Sequence, residues 1–166
     1  NYHSNTKRTM IFVAAIHGNE NSGVIALKKF FREIEQNNTK VDGTIIGLIG
    51  NLNALKINAR FIDHDLNRMW STKIINSKSN NLVSEKKELL VLKSLINQII
   101  LKKSKKNISI IDLHNTSSPS GVFTIVNNKK EEQMAKHLNI PTIANLFSKV
   151  KGSFSNYYNE QKINSI

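Results

Sequence analysis

His17 and Glu20 lie three residues apart, directly after the apolar run Thr9 to Ile16, and His114 closes a second apolar run, Ile111-Asp112-Leu113-His114. A turn from a buried strand into a helix can aim the side chains of His17 and Glu20 at one spot, and a neighbouring strand can bring His114 to it. Two histidines and one glutamate form a catalytic zinc set that leaves a fourth position for water. Zinc in such a set lowers the pKa of water towards neutrality and polarises a carbonyl. The 166 residues include no cysteine, so a metal site here must use His, Asp or Glu. A histidine at a strand end, taken alone, is more often a hydrogen-bonded structural residue than a ligand; position and residue type together favour the metal reading.

A second group lies in Arg60-Phe61-Ile62-Asp63-His64-Asp65-Leu66-Asn67-Arg68, with two arginines eight residues apart and an amide between them. Guanidinium groups bind carboxylates through two parallel hydrogen bonds and can stabilise an oxyanion. Structural salt bridges to Asp63 and Asp65 explain the same residues equally well.

These groups need a scaffold. Thr9 to Ile16 reads as a strand buried on both faces. Asn21 or Ser22 can cap a helix over about residues 23–36, with Val24, Leu27, Phe30, Phe31 and Ile34 at helical spacing. Thr44 to Asn51 reads as a second strand, and Leu52 to Trp70 as a long loop whose polar residues suggest a site. Ser84 can cap a helix to about Leu101, its apolar side formed by Leu89, Leu90, Leu92, Leu95, Ile96, Ile99 and Ile100. Asn107 to Leu113, Val122 to Val126 and Thr142 to Leu146 read as strands, and Lys130 to Leu138 as a short helix. Strands alternating with helices imply an α/β class with a mixed, mostly parallel sheet flanked by helices.

At 166 residues the chain suits one domain. Hydrophobic residues at 39% and only two prolines exclude disordered and low-complexity classes. No apolar run reaches the ~20 residues of a membrane span and the N-terminus lacks the apolar stretch of a signal peptide, which favours a cytoplasmic protein without membrane partners. The chain begins at Asn1, so a removed leader stays open. A net charge of +12 attracts anions. No aromatic residues interleave with the lysine clusters, including Lys28, Lys29, Lys86, Lys87, Lys102, Lys103, Lys105 and Lys106, so a solvated face is expected rather than a nucleic-acid interface. His3 and His137 read as surface residues.

Three ordered blocks resemble the succinylglutamate desuccinylase and aspartoacylase family of zinc carboxypeptidase-like hydrolases: His17-Gly18-Asn19-Glu20 with Gly23; Gly50-Asn51 through Arg60 to Asp65-Leu66-Asn67-Arg68; and Asp112-Leu113-His114-Asn115-Thr116. The resemblance implies one zinc per chain on His17, Glu20 and His114, with Arg60 polarising the scissile carbonyl. It implies that Asn67 and Arg68 hold a substrate carboxylate and that Asn115 and Thr116 line the pocket. Asp65 and Asp112 would support the site rather than react, and His64 falls outside the metal set. The implied activity is hydrolysis of a small, anionic N-acyl acidic amino acid such as N-succinylglutamate or N-acetylaspartate. A peptide carboxypeptidase is the alternative enzyme; a basic anion- or nucleic-acid-binding module with structural histidines is the alternative from another class.

The family's general base is a glutamate on a later strand, followed by a β-rich domain, and neither is recognisable here. Residues 1–166 are therefore expected to be the N-terminal part of the catalytic domain, truncated and inactive alone. Ile163-Asn164-Ser165-Ile166 resembles the start of that strand and would leave an exposed apolar edge. Glu160 is expected at the surface, and Tyr157 and Tyr158 fall where substrate contacts are expected without aligning securely.

Overall fold

The computed structural model describes residues 8–77, 83–116, 121–144, 146 and 150–166. Four strands form a parallel sheet: β1 (Thr9–Ala14), β2 (Thr44–Ile49), β3 (Ile108–Leu113) and β6 (Asn164–Ser165), in the spatial order β2-β1-β3-β6. β4 (Thr124–Val126) and β5 (Thr142–Ala144) form a separate parallel pair. Every strand pairing among the described residues is parallel. The helices are α1 (Ser22–Gln36), α2 (Leu52–Lys56), α3 (Thr72–Ile75), α4 (Ser84–Lys102), α5 (Lys129–Lys136) and α6 (Phe154–Glu160).

The central strands are apolar on both faces because both are covered. On one side Ile11 and Val13 of β1 and Ile108 and Ile110 of β3 pack with Leu89, Leu92 and Ile96 of α4, with Trp70, and with Phe154 and Tyr158 of α6. On the other side Met10, Phe12, Ile111 and Leu113 gather with Val126, Met134 and Ala135, while Ala14 meets Val24 and Leu27 of α1. The two-residue alternation of each strand sorts these sets.

The helical faces are narrower than their hydrophobic residues suggest. Leu90 and Leu95 of α4 are exposed, and Val24 is the buried residue of α1. Lys86 corrects the expectation of a solvated lysine: it is buried, and its Nζ donates to the carbonyls of Ile74 and Ile75 and to Ser77 Oγ, closing the end of α3. Glu160 is exposed as expected, accepting a hydrogen bond from Asn156, at the end of α6, whose other face buries Phe154 and Tyr158. Ile163 and Ile166 are buried rather than exposed, because α6 and α5 pack over them. His137 is exposed. His3 and residue 145 of the expected last strand lie outside the described residues.

The chain leaves β1 for β2 on one side and later returns to β3 on the other, so the sheet's topology switches between β1 and β3. Such switch points open a crevice beyond the carboxyl ends of the strands. Gly18, at the rim of that crevice, donates its N–H to the Arg60 carbonyl. A Cβ there would stand 2.2 Å from the Ala54 carbonyl carbon and 2.4 Å from the Leu55 nitrogen, both backbone atoms. Gly18→Ala should therefore cost at least about 1–3 kcal/mol of stability, seen as a lowered denaturant midpoint; an unchanged midpoint would show that α2 is free to move aside.

Candidate metal centre

β1 and β3 are in register, Ala14 opposite Leu113. His17 lies three residues beyond the end of β1 and His114 one beyond the end of β3, so the two imidazoles meet with ring centres 5.0 Å apart. Glu20, just before α1, lies between them. Its Oε1 is 2.9 Å from His17 Nδ1, its Oε2 is 2.9 Å from His114 Nδ1, and Oε2 also accepts the Asn115 backbone N–H. One donor atom from each of the three residues lies within 4.8 Å of the others.

Each imidazole is also held from behind. His17 Nε2 is 3.0 Å from Asp65 Oδ1, and His114 Nε2 is 2.9 Å from Asp112 Oδ2. Residues two apart on a strand share a face, which puts Asp112 beside His114. A carboxylate on the outer ring nitrogen fixes the orientation of a metal-binding imidazole and raises its basicity. With Nδ1 of both rings facing the Glu20 carboxylate and no thiolate present, the donor set of two nitrogens and one oxygen fits zinc.

Burial opposes charge on all four principal groups, but their mutual contacts outweigh it. Desolvation would lower the His17 and His114 pKa values; Asp65 and Glu20 raise the first, and Asp112 and Glu20 raise the second to about 10. Desolvation would raise Glu20 and Asp65, yet the histidine hydrogen bonds hold both carboxyls far below the usual range.

Arg60 turns into this cluster. Its Nη1 is 3.4 Å from Glu20 Oε1 and its Nη2 3.3 Å from Asp65 Oδ2, while its side chain stays 44% exposed at the mouth. Its acidic partners are Glu20 and Asp65; among the described residues Asp63 instead accepts the N–H of Ser84. Asn67 reaches the site from a 3-10 turn: its Nδ2 is 3.4 Å from His114 Nε2, and its Oδ1 accepts the N–H of Phe154. Arg68 is exposed, donates from Nη1 to the Asn67 carbonyl and makes no ion pair among the described residues. Asn115 accepts a hydrogen bond from Ser22 Oγ, and Thr116 follows it at an exposed position. Tyr158 lies buried against Trp70 and Phe154, whereas Tyr157 is half-buried. His64 is exposed, apart from the cluster.

The description "Succinylglutamate desuccinylase/Aspartoacylase catalytic domain" matches residues 6–164. The chain belongs to that family. A succinylglutamate desuccinylase of Photorhabdus laumondii is 27% identical over 115 residues, 68% of this chain and 34% of that protein. An N-acyl-aromatic-L-amino acid amidohydrolase of Xenopus laevis is 31% identical over 129 residues, 78% of this chain and 40% of that protein. The chain thus spans about a third to two-fifths of these relatives. The crystal structure of a succinylglutamate desuccinylase from Vibrio parahaemolyticus shares the fold with a TM-score of 0.77 at 20% identity, covering 93% of this chain and 54% of that one. Among the described residues no helix is long and apolar enough to cross a membrane.

Asp65 and Asp112 stand behind the imidazoles in the supporting place that the motif blocks gave them, whereas the Ser22 hydroxyl meets Asn115 across the fold and carried no signal in the sequence.

The titration of this cluster fixes how metal-free stability depends on pH. His114, raised from 6.5 to about 10, contributes stability that is complete below 6.5 and is lost as pH rises through about 10. Glu20 and Asp65, lowered from 4.5 and 3.8, contribute stability that is present above those values and is lost on acidification. Thermal melts in chelator should peak between about pH 4.5 and 6.5 and decline on both sides. His114→Asn should flatten the alkaline limb; an unaltered limb would assign the titration to another group.

Proposed function

We propose that this chain carries the zinc-binding part of an amidohydrolase that removes the acyl group from a small N-acylated acidic amino acid. The observation that carries the reading is the meeting of His17, Glu20 and His114 with carboxylates behind both imidazoles. The family membership and the matched relatives, which act on N-acylated amino acids by name, support it.

His17, Glu20 and His114 would hold the zinc, one per chain. When bound, zinc supplies a Lewis acid for the scissile carbonyl and makes water acidic enough to ionise near neutral pH. Asp65 and Asp112 keep the outer nitrogens of the imidazoles occupied, so that Nδ1 of each ring faces inward.

Arg60 has a guanidinium at the mouth, half in solvent, and can swing a donor from Asp65 onto the carbonyl oxygen as negative charge builds there. Arg68, without an ion-pair partner among the described residues, is placed to take a substrate carboxylate, with the Asn67 amide beside it. Asn115 and Thr116 would line the wall next to His114. Glu20, Asp65 and Asp112 are all committed to histidine or arginine, so the proton passed to the departing amine would come from another group. An acidic substrate side chain suits a mouth with two arginines, which favours an acidic amino acid over an apolar one. The α-carboxylate of an N-acyl amino acid and the C-terminal carboxylate of a peptide would both suit Arg68, so the substrate assay separates the two readings.

His17→Ala and His114→Ala should each abolish stoichiometric zinc in the purified protein; one zinc per chain in both variants would remove the ligand assignment. The kinetic tests belong in the full-length protein, with N-acetylaspartate, N-succinylglutamate and a short peptide as substrates. Arg60→Ala should chiefly lower kcat, and Arg68→Ala should chiefly raise KM, because a donor used only in the transition state acts on turnover. Loss of thermal stability with unchanged kinetics would assign the arginines to structure, and preference for the peptide would assign the chain to the carboxypeptidases.

A further inference from the structure

The first turn of α4 carries a carboxylate that the proposed chemistry does not use. Glu85 is fully buried at 0% exposure. Its Oε1 accepts the N–H of Ile62 at 2.8 Å and Asn51 Nδ2 at 3.2 Å; its Oε2 accepts the N–H groups of Asp63 and His64 at 3.0 and 3.1 Å. Three successive backbone N–H groups of one loop thus converge on one carboxylate. The exchange is reciprocal, since Asp63 Oδ2 accepts the N–H of Ser84, the residue before Glu85. The same loop carries Arg60 at one end and Asp65 at the other.

A buried carboxylate without partners would be strongly unfavourable. Burial does push the Glu85 carboxyl up, but the hydrogen bonds from Ile62, Asp63, Asn51 and His64 outweigh it and hold the group ionised, below its ordinary value. The donors satisfy the charge, and the charge in turn organises the donors. Asn51 Oδ1 also accepts the N–H of Ala54, so the network reaches α2, against which Gly18 packs. Without Glu85, three adjacent N–H groups lose their common acceptor.

We infer that Glu85 is a positioning residue of the reaction: from α4 it fixes the loop of residues 60–65, and so sets where the Arg60 guanidinium stands relative to His17, Glu20 and His114. It touches neither the metal ligands nor the place of a substrate, and it acts through Arg60. The inference rests on the amidohydrolase reading above. The zinc ligands themselves lie on the segments after β1 and β3, outside the loop, and the loop reaches them only through Asp65 behind His17 and the Arg60 carbonyl on Gly18, so disturbing Glu85 should misplace Arg60 while one zinc per chain is still held. Misplacement of a catalytic group by about 1 Å can cost ~100-fold in rate.

The test is a double-mutant cycle in the full-length protein between Glu85→Gln and Arg60→Ala, with zinc content and thermal midpoint measured on each variant. Glutamine keeps one acceptor and turns an NH2 group on the remaining donors. The expected result is a fall in kcat of about 10- to 100-fold, little change in KM, one zinc per chain, and no further loss when Glu85→Gln is added to Arg60→Ala. A residue that only stabilises the fold would lower the midpoint and leave kcat unchanged at a temperature where the variant is folded, or its effect would multiply with that of Arg60→Ala; either outcome overturns the inference. Should Glu85→Gln not fold, Glu85→Asp, which keeps the charge but draws it back by one methylene, enters the same cycle. If the wild-type protein hydrolyses neither N-acyl substrate, the amidohydrolase reading has failed by itself, and amide hydrogen exchange decides the loop: exchange at Ile62, Asp63 and His64 must rise in Glu85→Gln by more than the loss of global stability explains, and unchanged exchange there overturns the inference.

Discussion

A carboxylate and two imidazoles share a crevice here because β1 and β3 are neighbours in a parallel sheet with their ends level. Parallel pairing aligns the carboxyl ends of the strands on one edge of the sheet, and the register of Ala14 with Leu113 brings the residues beyond them together. His17 and His114 are 97 positions apart, as their numbers show, yet one ladder of backbone hydrogen bonds sets their separation. A change in this register would move His114 along the strand axis by ~3.3 Å per residue and part it from Glu20. The apolar faces of both strands, covered by α4 and α6 on one side and by α1 and α5 on the other, hold that register in place.

The electrostatics follow from this placement. Gathering three carboxylates, two imidazoles and a guanidinium in a partly buried space is costly unless each charge meets its opposite. The arrangement alternates sign along a chain of contacts: Asp65 to His17, His17 to Glu20, Glu20 to His114, and His114 to Asp112, with Arg60 closing across Glu20 and Asp65. The same alternation leaves Nδ1 of both rings directed at Glu20. Glu85 shows the principle a second time, with a buried carboxylate balanced by four N–H donors. The two networks meet in the loop of residues 60–65, which is why a segment without regular structure is fixed where the site needs it.

Much of this was legible in the chain itself. The continuous apolar run Thr9 to Ile16, the helical spacing after Ser84 and the alternation of strands with helices announced an α/β sheet, because hydrophobic period is set locally by backbone geometry. The three motif blocks singled out His17, Glu20, Arg60, Asn67, Arg68, His114, Asn115 and Thr116, and the structure brings Arg60 and Asn67 against the histidine and glutamate side chains. Residue types alone excluded thiolate chemistry.

The rest was decided by tertiary structure, for a physical reason that recurs at each residue. Lys86 reads as a surface charge, and nothing local marks Glu85 beside it; both are buried because partners from distant segments, the carbonyls of 74 and 75 and the N–H groups of 62–64, satisfy them. Leu90 and Leu95 read as core and are exposed because α4 turns Leu89, Leu92 and Ile96, with Ile99 and Ile100 partly buried beside them, to the core. Tyr158 falls in the stretch where substrate contacts are expected and instead fills the core beside Trp70. Sequence determines which groups are present and how they repeat along a strand or helix; which buried charge meets which partner depends on contacts between residues tens of positions apart, and only the packed sheet and its helices supply those.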